Sequence, residues 1–454
     1  MLNYTPKEIC DRSALKINPA KTCQPVGALY AALGVHGCLP HSHGSQGCVA
    51  FHRMYLTRHF KDPVMASSSS FTEGASVFGG GSNLKTAVKN IFELYNPEII
   101  AVHTTCLSET IGDDLNALIQ DMDIPEGKYV VHTNTPSYKG SHITGFTNMI
   151  SGFITYLSKS TGKSNGKAAV MPGFVNPGDM REMKRIMNLM NVKYTMLPDT
   201  TGVLDTPMTG TYEMFPAGGT KIEEIKELGD CGMTIALGQM TSEPAAETLK
   251  KKCKVPYKSM MLPIGVAGTD EFVMALQEFG KSEVPAELEE ERGQLIDVMV
   301  DTHPYTYGKT VAIYGDPDTV LALAAFVLEL GMVPKYMVTS SPGAAFERSA
   351  NELFAKYGVE GCKAKAESDL FELHQWIKND KVDLMIGGTH GKTIARAEDI
   401  PLVRAGFPII DRYVHSYMPL VGYKGGMRLV ELILNALMDR IDRDCDEKDM
   451  EVVM

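Results

Sequence analysis

Three cysteines have sequence surroundings that suit a metal centre. Each lies among turn-forming Gly, Pro, Ser or Thr residues: Cys23 in KTCQPVG, Cys48 in HGSQGCVA and Cys106 in HTTCLSET. Turns expose backbone N–H groups that can hydrogen-bond to cluster sulfides, and iron-sulfur clusters need deprotonated thiolates. A lone cysteine is more often a buried small side chain, but three in turns favour metal binding. Three thiolates leave a cubane cluster one ligand short, so further ligands must come from elsewhere.

The remaining histidines and cysteines have simpler explanations. The segment from His36 to His59 holds five of the twelve histidines, but it contains no HExxH motif and no paired CxxC motif that would predict zinc. His52 and His59 are seven residues apart on a predicted helix, where they serve packing or an interface. The other six cysteines share no context and are interpreted as incidental: Cys10, Cys38, Cys231, Cys253, Cys362 and Cys445.

One acidic pair leaves two alternatives open. Asp297 and Asp301 are four residues apart in ERGQLIDVMVDTH, on one face of a predicted helix. Like charges at this spacing destabilise a helix only slightly, so a solvated acidic face is the simpler explanation. A site for a hard cation is the alternative.

Glycine-rich segments do not indicate nucleotide binding. GGTHGKT resembles a phosphate loop, but Ile386 stands where that motif requires its first glycine. VFGGGSN lacks the third glycine of a dinucleotide-binding fingerprint. We therefore expect no nucleotide on this chain.

Composition excludes several classes of protein. The 454 residues carry a net charge of −11, which argues against a general nucleic-acid binder. The longest apolar run, residues 320–328, is far shorter than the roughly 20 residues of a membrane-spanning helix. No apolar signal region opens the chain, and nine scattered cysteines do not describe a disulfide framework. We expect a cytoplasmic protein with no membrane contact.

The elements that must position these cysteines follow a repeated pattern. A short apolar run, a turn and an amphipathic helix recur in three blocks, which begin near Ile99, Ala168 and Val311. Such alternation predicts parallel sheets covered by helices on both faces, an α/β fold with Rossmann-like domains. We predict three domains, over residues 1–155, 156–290 and 291–454. Ligands in this architecture collect at the carboxyl ends of strands, and Cys106 follows the predicted strand Ile99 to Thr105 there.

The cysteine segments resemble a known family. KTCQPVGALYAALG, HGSQGC, HTTCLSETIGDDLNA and TPSYKGSHITG occur in the order typical of the beta chains of nitrogenase molybdenum-iron proteins. The resemblance continues to the C-terminus through GFVNPGDM, EEERGQLID, GDPD, GFPIIDR and GYKGGMRLVE. It implies the nitrogenase component 1 fold, with the cysteines in the N-terminal domain.

The resemblance also implies a cluster shared between two chains. In the family, three cysteines of the beta chain and three of the alpha chain hold an [8Fe-7S] P-cluster, and the matching positions here are Cys23, Cys48 and Cys106. Ser137, in TPSYKGSH, matches a serine that can ligate one iron of the oxidised cluster. The second ligand set then belongs to the alpha chain of an α2β2 heterotetramer.

Electron delivery is implied by the same resemblance. The family's iron protein hydrolyses ATP, docks transiently over the P-cluster and delivers single electrons. Phe78 matches a docking residue, and Ile111 and Gly112 match its neighbours. The chain is expected to relay electrons to the iron-molybdenum cofactor of the alpha chain, where dinitrogen becomes ammonia.

The family changes the interpretation of the acidic pair. Asp297 and Asp301 match residues of a helix at the beta-beta interface that bind a divalent cation, iron or calcium, with an acidic residue of the other beta chain. Asp62 occupies that third position, where Glu is commoner.

Phe51 stands where some relatives have a Tyr beside the cluster. Some relatives also have a longer N-terminal arm around the alpha chain, which implies a smaller interface here.

Three alternatives share parts of this resemblance. A cofactor-assembly scaffold has the same fold but typically lacks one or more of the cysteines. Beta chains of vanadium or iron-only nitrogenases and a protochlorophyllide reductase subunit tend to have HGGQGC where this chain has HGSQGC. These features favour a molybdenum-iron beta chain.

Overall fold

The computed structural model describes residues 5–9, 12 and 15–452. The chain divides into two compact units, one of residues 22–260 and one that combines residues 1–21 with 261–454. All paired strands in the described residues are parallel. The predicted α/β fold with helix-flanked parallel sheets is therefore confirmed, whereas the three domain boundaries stay a prediction.

The unit of residues 22–260 contains two four-stranded sheets. The first has the order β2-β1-β3-β4 and the second β6-β5-β7-β8. The strands of the first sheet are β1 (Cys38–His43), β2 (Ser67–Ser68), β3 (Ile99–Thr104) and β4 (Tyr129–Thr133). Those of the second are β5 (Ala168–Met171), β6 (Tyr194–Met196), β7 (Met233–Leu237) and β8 (Tyr257–Met260). β1, β3 and β5 are buried along their whole length, as expected of strands covered on both faces.

Ten α-helices accompany these sheets in the described residues. They are α1 (Gln24–Leu33), α2 (Gln46–Phe60), α3 (Glu73–Phe78), α4 (Gly81–Tyr95), α5 (Cys106–Ile111), α6 (Leu115–Gln120), α7 (His142–Leu157), α8 (Pro177–Leu189), α9 (Ile222–Lys226) and α10 (Glu243–Cys253). Met180, Met183, Met187 and Met190 are fully buried, in agreement with their helical spacing.

Two glycines allow α1 and α7 to pack with their backbones in contact. A Cβ atom on Gly27 would lie 1.7 Å from the carbonyl oxygen of His142. A Cβ atom on Gly145 would lie 1.9 Å from the carbonyl oxygen of Gln24. Only glycine fits at these two positions, and the close packing fixes the start of α1.

The other unit is built on one five-stranded sheet of order β11-β10-β9-β12-β13. Its strands are β9 (Thr310–Gly315), β10 (Val333–Thr339), β11 (Lys363–Lys365), β12 (Leu384–Gly387) and β13 (Leu402–Arg404). Its helices are α11 (Gly265–Gly280), α12 (Ala286–Thr306), α13 (Pro317–Glu329), α14 (Ala344–Tyr357), α15 (Leu370–Asn379), α16 (Lys392–Glu398) and α17 (Gly422–Asp444). The N-terminal segment belongs to this unit, where Arg12 donates two hydrogen bonds of 3.0 Å to the Asp369 carboxylate.

The structure differs from the sequence prediction in the residues that follow β3. The segment Cys106 to Ser108 was expected to be a turn, but it forms the first turn of α5. Thr105 and Ser108 make a reciprocal capping box that stabilises this short helix. Six residues are too few for hydrophobic periodicity to show. No helix within the described residues is both long and apolar enough to cross a membrane.

Candidate functional site

The three candidate ligand cysteines all lie at helix N-termini. Cys23 is the N-cap residue of α1, Cys48 is the third residue of α2, and Cys106 is the first residue of α5. Because β1 and β3 are neighbouring parallel strands, α2 and α5 begin at the same edge of the sheet. The positive end of a helix dipole favours negative charge, so this edge suits thiolates and an anionic cluster.

Hydrogen bonds join the loops that carry Cys48 and Cys106. The carbonyl oxygen of His43 accepts from the backbone N–H of Thr105 at 3.2 Å and from Ser108 Oγ at 2.7 Å. A Cβ atom on Gly44 would lie 1.9 Å from Thr105 Oγ1, so these loops touch directly. The positions of the two cysteine segments are therefore mutually dependent.

Gln24 joins the start of α1 to the loop that carries Ser137. Its Nε2 atom donates to the carbonyl oxygens of Pro136 at 3.2 Å and Lys139 at 3.0 Å. Ser137 lies in the turn between these two acceptors and is half-buried. The structure thus brings the segments of Cys23 and Ser137 together, as the resemblance implied.

The cysteine edge is open on one side. Cys106 is exposed, whereas Cys23 and Cys48 are half-buried, and all three are free thiols. Burial raises the pKa of the Cys23 thiol, and the nearby Cys48 acts in the same direction. Within the described residues, no group of three or more His, Cys, Asp or Glu side chains could hold a metal ion.

A buried histidine-serine network lies behind Cys23. His52 Nε2 lies 3.7 Å from Cys23 Sγ, and His52 Nδ1 lies 3.4 Å from Ser42 Oγ. Ser42 Oγ also contacts His103 Nε2 at 2.8 Å. The sequence predicts a packing or interface role for His52 and does not single out Ser42 or His103. The available signal was the presence of consecutive polar residues at the carboxyl ends of two buried strands, β1 and β3.

A second network leads from the same edge toward the surface. His43 Nε2 donates to Asp113 Oδ2 at 3.0 Å, and both carboxylate oxygens of Asp113 accept from the backbone N–H of Gly80. Ser69 Oγ contacts both His43 Nδ1 and His41 Nε2 at 2.8 Å. These bonds connect the loop before Cys48 with the ends of α3 and α5.

The predicted docking residues occupy those two helix ends. Phe78, the last residue of α3, is 90% exposed, and the adjacent Val77 is 72% exposed. Ile111 ends α5 and is half-buried, and Gly112 caps it with φ of +84°. α3 and α5 pack together. Exposed apolar side chains of this size typically mark a surface for a partner.

The three predicted cation ligands are divided between the two units. Asp297 and Asp301 are exposed on α12 in one unit, while Asp62 follows α2 in the other. Burial raises the pKa of Asp62, and the charge of Asp205 adds to this effect. Among the incidental cysteines, Cys10 lies outside the described residues.

The chain is similar in sequence to proteins of one known family. The sequence profile of the nitrogenase component 1 type oxidoreductases matches residues 23–438. The nitrogenase molybdenum-iron protein beta chain of Clostridium pasteurianum is 62% identical over 457 residues and covers 100% of both chains. The corresponding beta chains of Nostoc sp. and Azotobacter vinelandii are 42% and 39% identical, and each comparison covers 95% of this chain and 86% of the relative.

Solved structures show the same similarity. A chain of nitrogenase Cp1 at pH 6.5 has a TM-score of 0.98 and 62% identity, and the match covers 100% of each chain. A chain of nitrogenase Cp1 at pH 5 has a TM-score of 0.65 at 18% identity, covering 94% of this chain and 90% of the other. This second match shows the fold alone.

Proposed function

Because this chain belongs to the nitrogenase component 1 oxidoreductases, as a beta chain of the molybdenum-iron type, we propose that Cys23, Cys48 and Cys106 ligate one half of an [8Fe-7S] P-cluster. Iron-sulfur clusters are implied for the family as a whole. The identity to molybdenum-iron beta chains favours this assignment over the vanadium, iron-only and scaffold alternatives.

The open cysteine edge is the observation that supports the proposal most directly. Three free thiols at three helix N-termini are suitable soft ligands, and the exposed Cys106 leaves room for a second protein surface. The alpha chain of an α2β2 heterotetramer supplies the other three thiolates in this proposal. In this proposal Ser137, whose turn is hydrogen-bonded to Gln24 beside Cys23, is an additional ligand in the oxidised state.

Cys23, Cys48 and Cys106 would hold the cluster on the side of this chain. When bound, the cluster supplies reversible electron storage. The close contact of Gly44 with Thr105 and the hydrogen bonds to the His43 carbonyl oxygen link the positions of Cys48 and Cys106. Phe78, Ile111 and Gly112 form the docking surface for the nitrogenase iron protein, on which ATP is hydrolysed.

Electrons pass from this chain to the iron-molybdenum cofactor of the alpha chain in the proposed scheme. Dinitrogen is reduced to ammonia there, so the beta chain contributes an electron relay and binds no substrate. Asp297 and Asp301, with Asp62 of a second beta chain, form the proposed interface site for a divalent cation, iron or calcium.

Replacement of Cys106 tests the ligand assignment. We expect Cys106→Ala to lower the cluster iron of the purified tetramer and to reduce acetylene reduction strongly, because one buried iron loses its thiolate. Cys253→Ala is the matched control, since Cys253 is a half-buried free cysteine at the end of α10. Wild-type iron content and activity in Cys106→Ala would show that the assignment is wrong.

A further inference from the structure

We propose that a cavity beside the loop of residues 206–216 binds a small organic cation, a primary amine that carries a short hydrocarbon chain. The cavity lies within the unit of residues 22–260, and none of the three proposed ligand cysteines lines it. The site is therefore additional to the electron relay, and its assignment does not depend on the P-cluster.

Two walls enclose the cavity, which has a volume of about 400 Å³. One wall consists of the end of α1, the start of β1 and the segment from Asp62 to Met65, and the other consists of the segment from Val203 to Pro216. Natural sites for small molecules have volumes of roughly 300 to 1,000 Å³. The space is therefore sufficient for a compact ligand of several carbon atoms.

The inner part of the cavity is apolar and belongs to the protein core. Leu33, Val35 and Leu204 line it, and all three are buried. Met65 and Phe215 also line it, and both pack against the buried apolar cluster formed by α4, α6 and the first sheet. A hydrocarbon chain that fills this space removes apolar surface from water, which favours binding.

The charged side chains of the lining are both acidic. Asp62 belongs to the core wall and Glu213 to the loop wall, and no Lys, Arg or His residue lines the cavity. Among the residues that the structure describes, neither carboxylate has an ion-pair or hydrogen-bond partner. Tyr212 and Phe215 also line the cavity, and the faces of aromatic rings attract ammonium groups. The lining therefore attracts a cation and repels an anion.

A primary amine fits this combination better than a metal ion or a neutral molecule. A hard metal ion takes about six or more oxygen ligands, and no group of three potential metal ligands is present in the described part of the chain. A neutral hydrocarbon would displace water and leave both carboxylates without a partner, which is unfavourable. The chain of an alkylammonium ion covers the apolar wall, and its N–H groups donate to a carboxylate.

The loop wall allows the ligand to enter. Residues 207–216 form a local contact between Thr209 and Thr211, and they make no hydrogen bond to any other described residue. The flanking residues are fixed, because Arg181 Nε donates to Asp205 Oδ2 at 2.6 Å and His36 Nδ1 lies 2.9 Å from the Gly218 carbonyl oxygen. The loop can therefore move aside without the loss of a hydrogen bond to the rest of the unit.

Calorimetric titration of the purified tetramer with three probes of equal chain length tests the proposal. The probes are n-hexylamine, 1-hexanol and hexanoate, used at about pH 7, where the amine is protonated. We expect n-hexylamine to bind about tenfold more tightly than 1-hexanol, because hydrogen bonds to charged groups are the stronger ones. Hexanoate should not bind, because the two carboxylates repel it.

Glu213→Gln tests the contribution of charge. The substitution keeps the size of the side chain, and the affinity for n-hexylamine should fall about fivefold while that for 1-hexanol stays unchanged. Asp62 is left unaltered because it belongs to the proposed interface cation site. Glu126→Gln is the matched control, since Glu126 is exposed and does not line the cavity, and its affinities should equal those of wild type.

Val203→Trp tests the location of the ligand. Val203 lines the cavity and is half-buried, so a larger side chain there occupies the space of the hydrocarbon chain. Binding of both n-hexylamine and 1-hexanol should be lost.

Three results would overturn the proposal. The first is the absence of n-hexylamine binding to the wild-type tetramer, including the case in which a second copy of this chain already fills the cavity. The second is equal affinity for n-hexylamine in wild type and Glu213→Gln. The third is undiminished binding to Val203→Trp. If Val203→Trp does not assemble, the comparison of Glu213→Gln with Glu126→Gln decides.

Discussion

At the scale of single residues, Phe78 combines a large apolar side chain with almost complete exposure. Phe78 and the adjacent Val77 are both exposed, and contiguous exposed apolar surface typically marks a site for a partner. Its position beside α5, whose first residue is Cys106, places this ring near the start of the proposed electron path.

We therefore expect Phe78→Glu to slow electron delivery from the iron protein. A central interface residue contributes about 2 kcal/mol or more, so the apparent affinity for the iron protein should fall roughly 30-fold. Stopped-flow measurement of electron transfer at increasing iron-protein concentration is the test, with cluster spectra recorded on the same sample.

Met208→Lys is a suitable control for the Phe78 variant. Met208 is 97% exposed and lies outside the predicted docking residues. Unaltered kinetics in Phe78→Glu, or equal slowing in Met208→Lys, would exclude a specific docking role for Phe78.

Residue types and neighbours allowed the cysteines to be predicted but not the histidine-serine network behind Cys23. A thiol in a turn is unusual enough to be noticed in a sequence. His52, Ser42 and His103 are far apart in the chain, and their hydrogen bonds depend on the register of β1 against β3. That register is a tertiary property that no local pattern contains.

At the scale of elements, the contact of α1 with α7 determines where Cys23 lies. Gly145→Ala would force a methyl group against the backbone of α1. We expect destabilisation of about 3 kcal/mol, at the upper end of the range for overpacking, because backbone atoms cannot move aside as a side chain can. Thermal unfolding of the tetramer measures it as a lower Tm.

Gly74→Ala provides the comparison for this helix contact. Gly74 is exposed on α3, and an added Cβ atom would meet only Thr72 Oγ1, at 3.9 Å. Its Tm should be unchanged or slightly higher. Equal Tm values for the two variants would contradict the packing argument.

Long elements were easier to predict than short ones. The buried methionines of α8 follow helical spacing, and the apolar strands are evident in the sequence. α5 has only six residues, and its capping box is visible only in the structure. Periodicity needs several turns before it distinguishes a helix from a loop.

At the scale of the whole molecule, the acidic pair on α12 gives a test of the proposed beta-beta interface. The double variant Asp297→Asn/Asp301→Asn should lose the bound cation. Its tetramer should then dissociate more readily into αβ halves. A ligand present at 100 times its Kd stabilises the state that binds it by about 2.7 kcal/mol, so a loss of that order is expected. Sedimentation analysis combined with metal analysis measures both effects.

Asp439→Asn is the control for that double substitution. Asp439 is an exposed acidic residue on α17, so the variant also lowers the negative charge. Tetramers of the double variant that stay intact and keep their cation would exclude the proposed site.

The three parallel sheets could be predicted because each strand and helix has a local apolar pattern. The grouping of residues 1–21 with 261–454 could not, since it depends on contacts such as that of Arg12 with Asp369, more than 300 residues away. Sequence patterns indicate elements and their order, whereas compact units arise from long-range packing.

The exposure of Cys106 also gives the protein a vulnerable period during its synthesis. A chain that has folded but has not met its partner presents an accessible thiol at its most important edge. Oxidation of accessible thiols beyond the sulfenic acid cannot in general be reversed. If a second chain covers this edge as proposed, Cys106 is open to oxidation only until assembly, and assembly itself protects it.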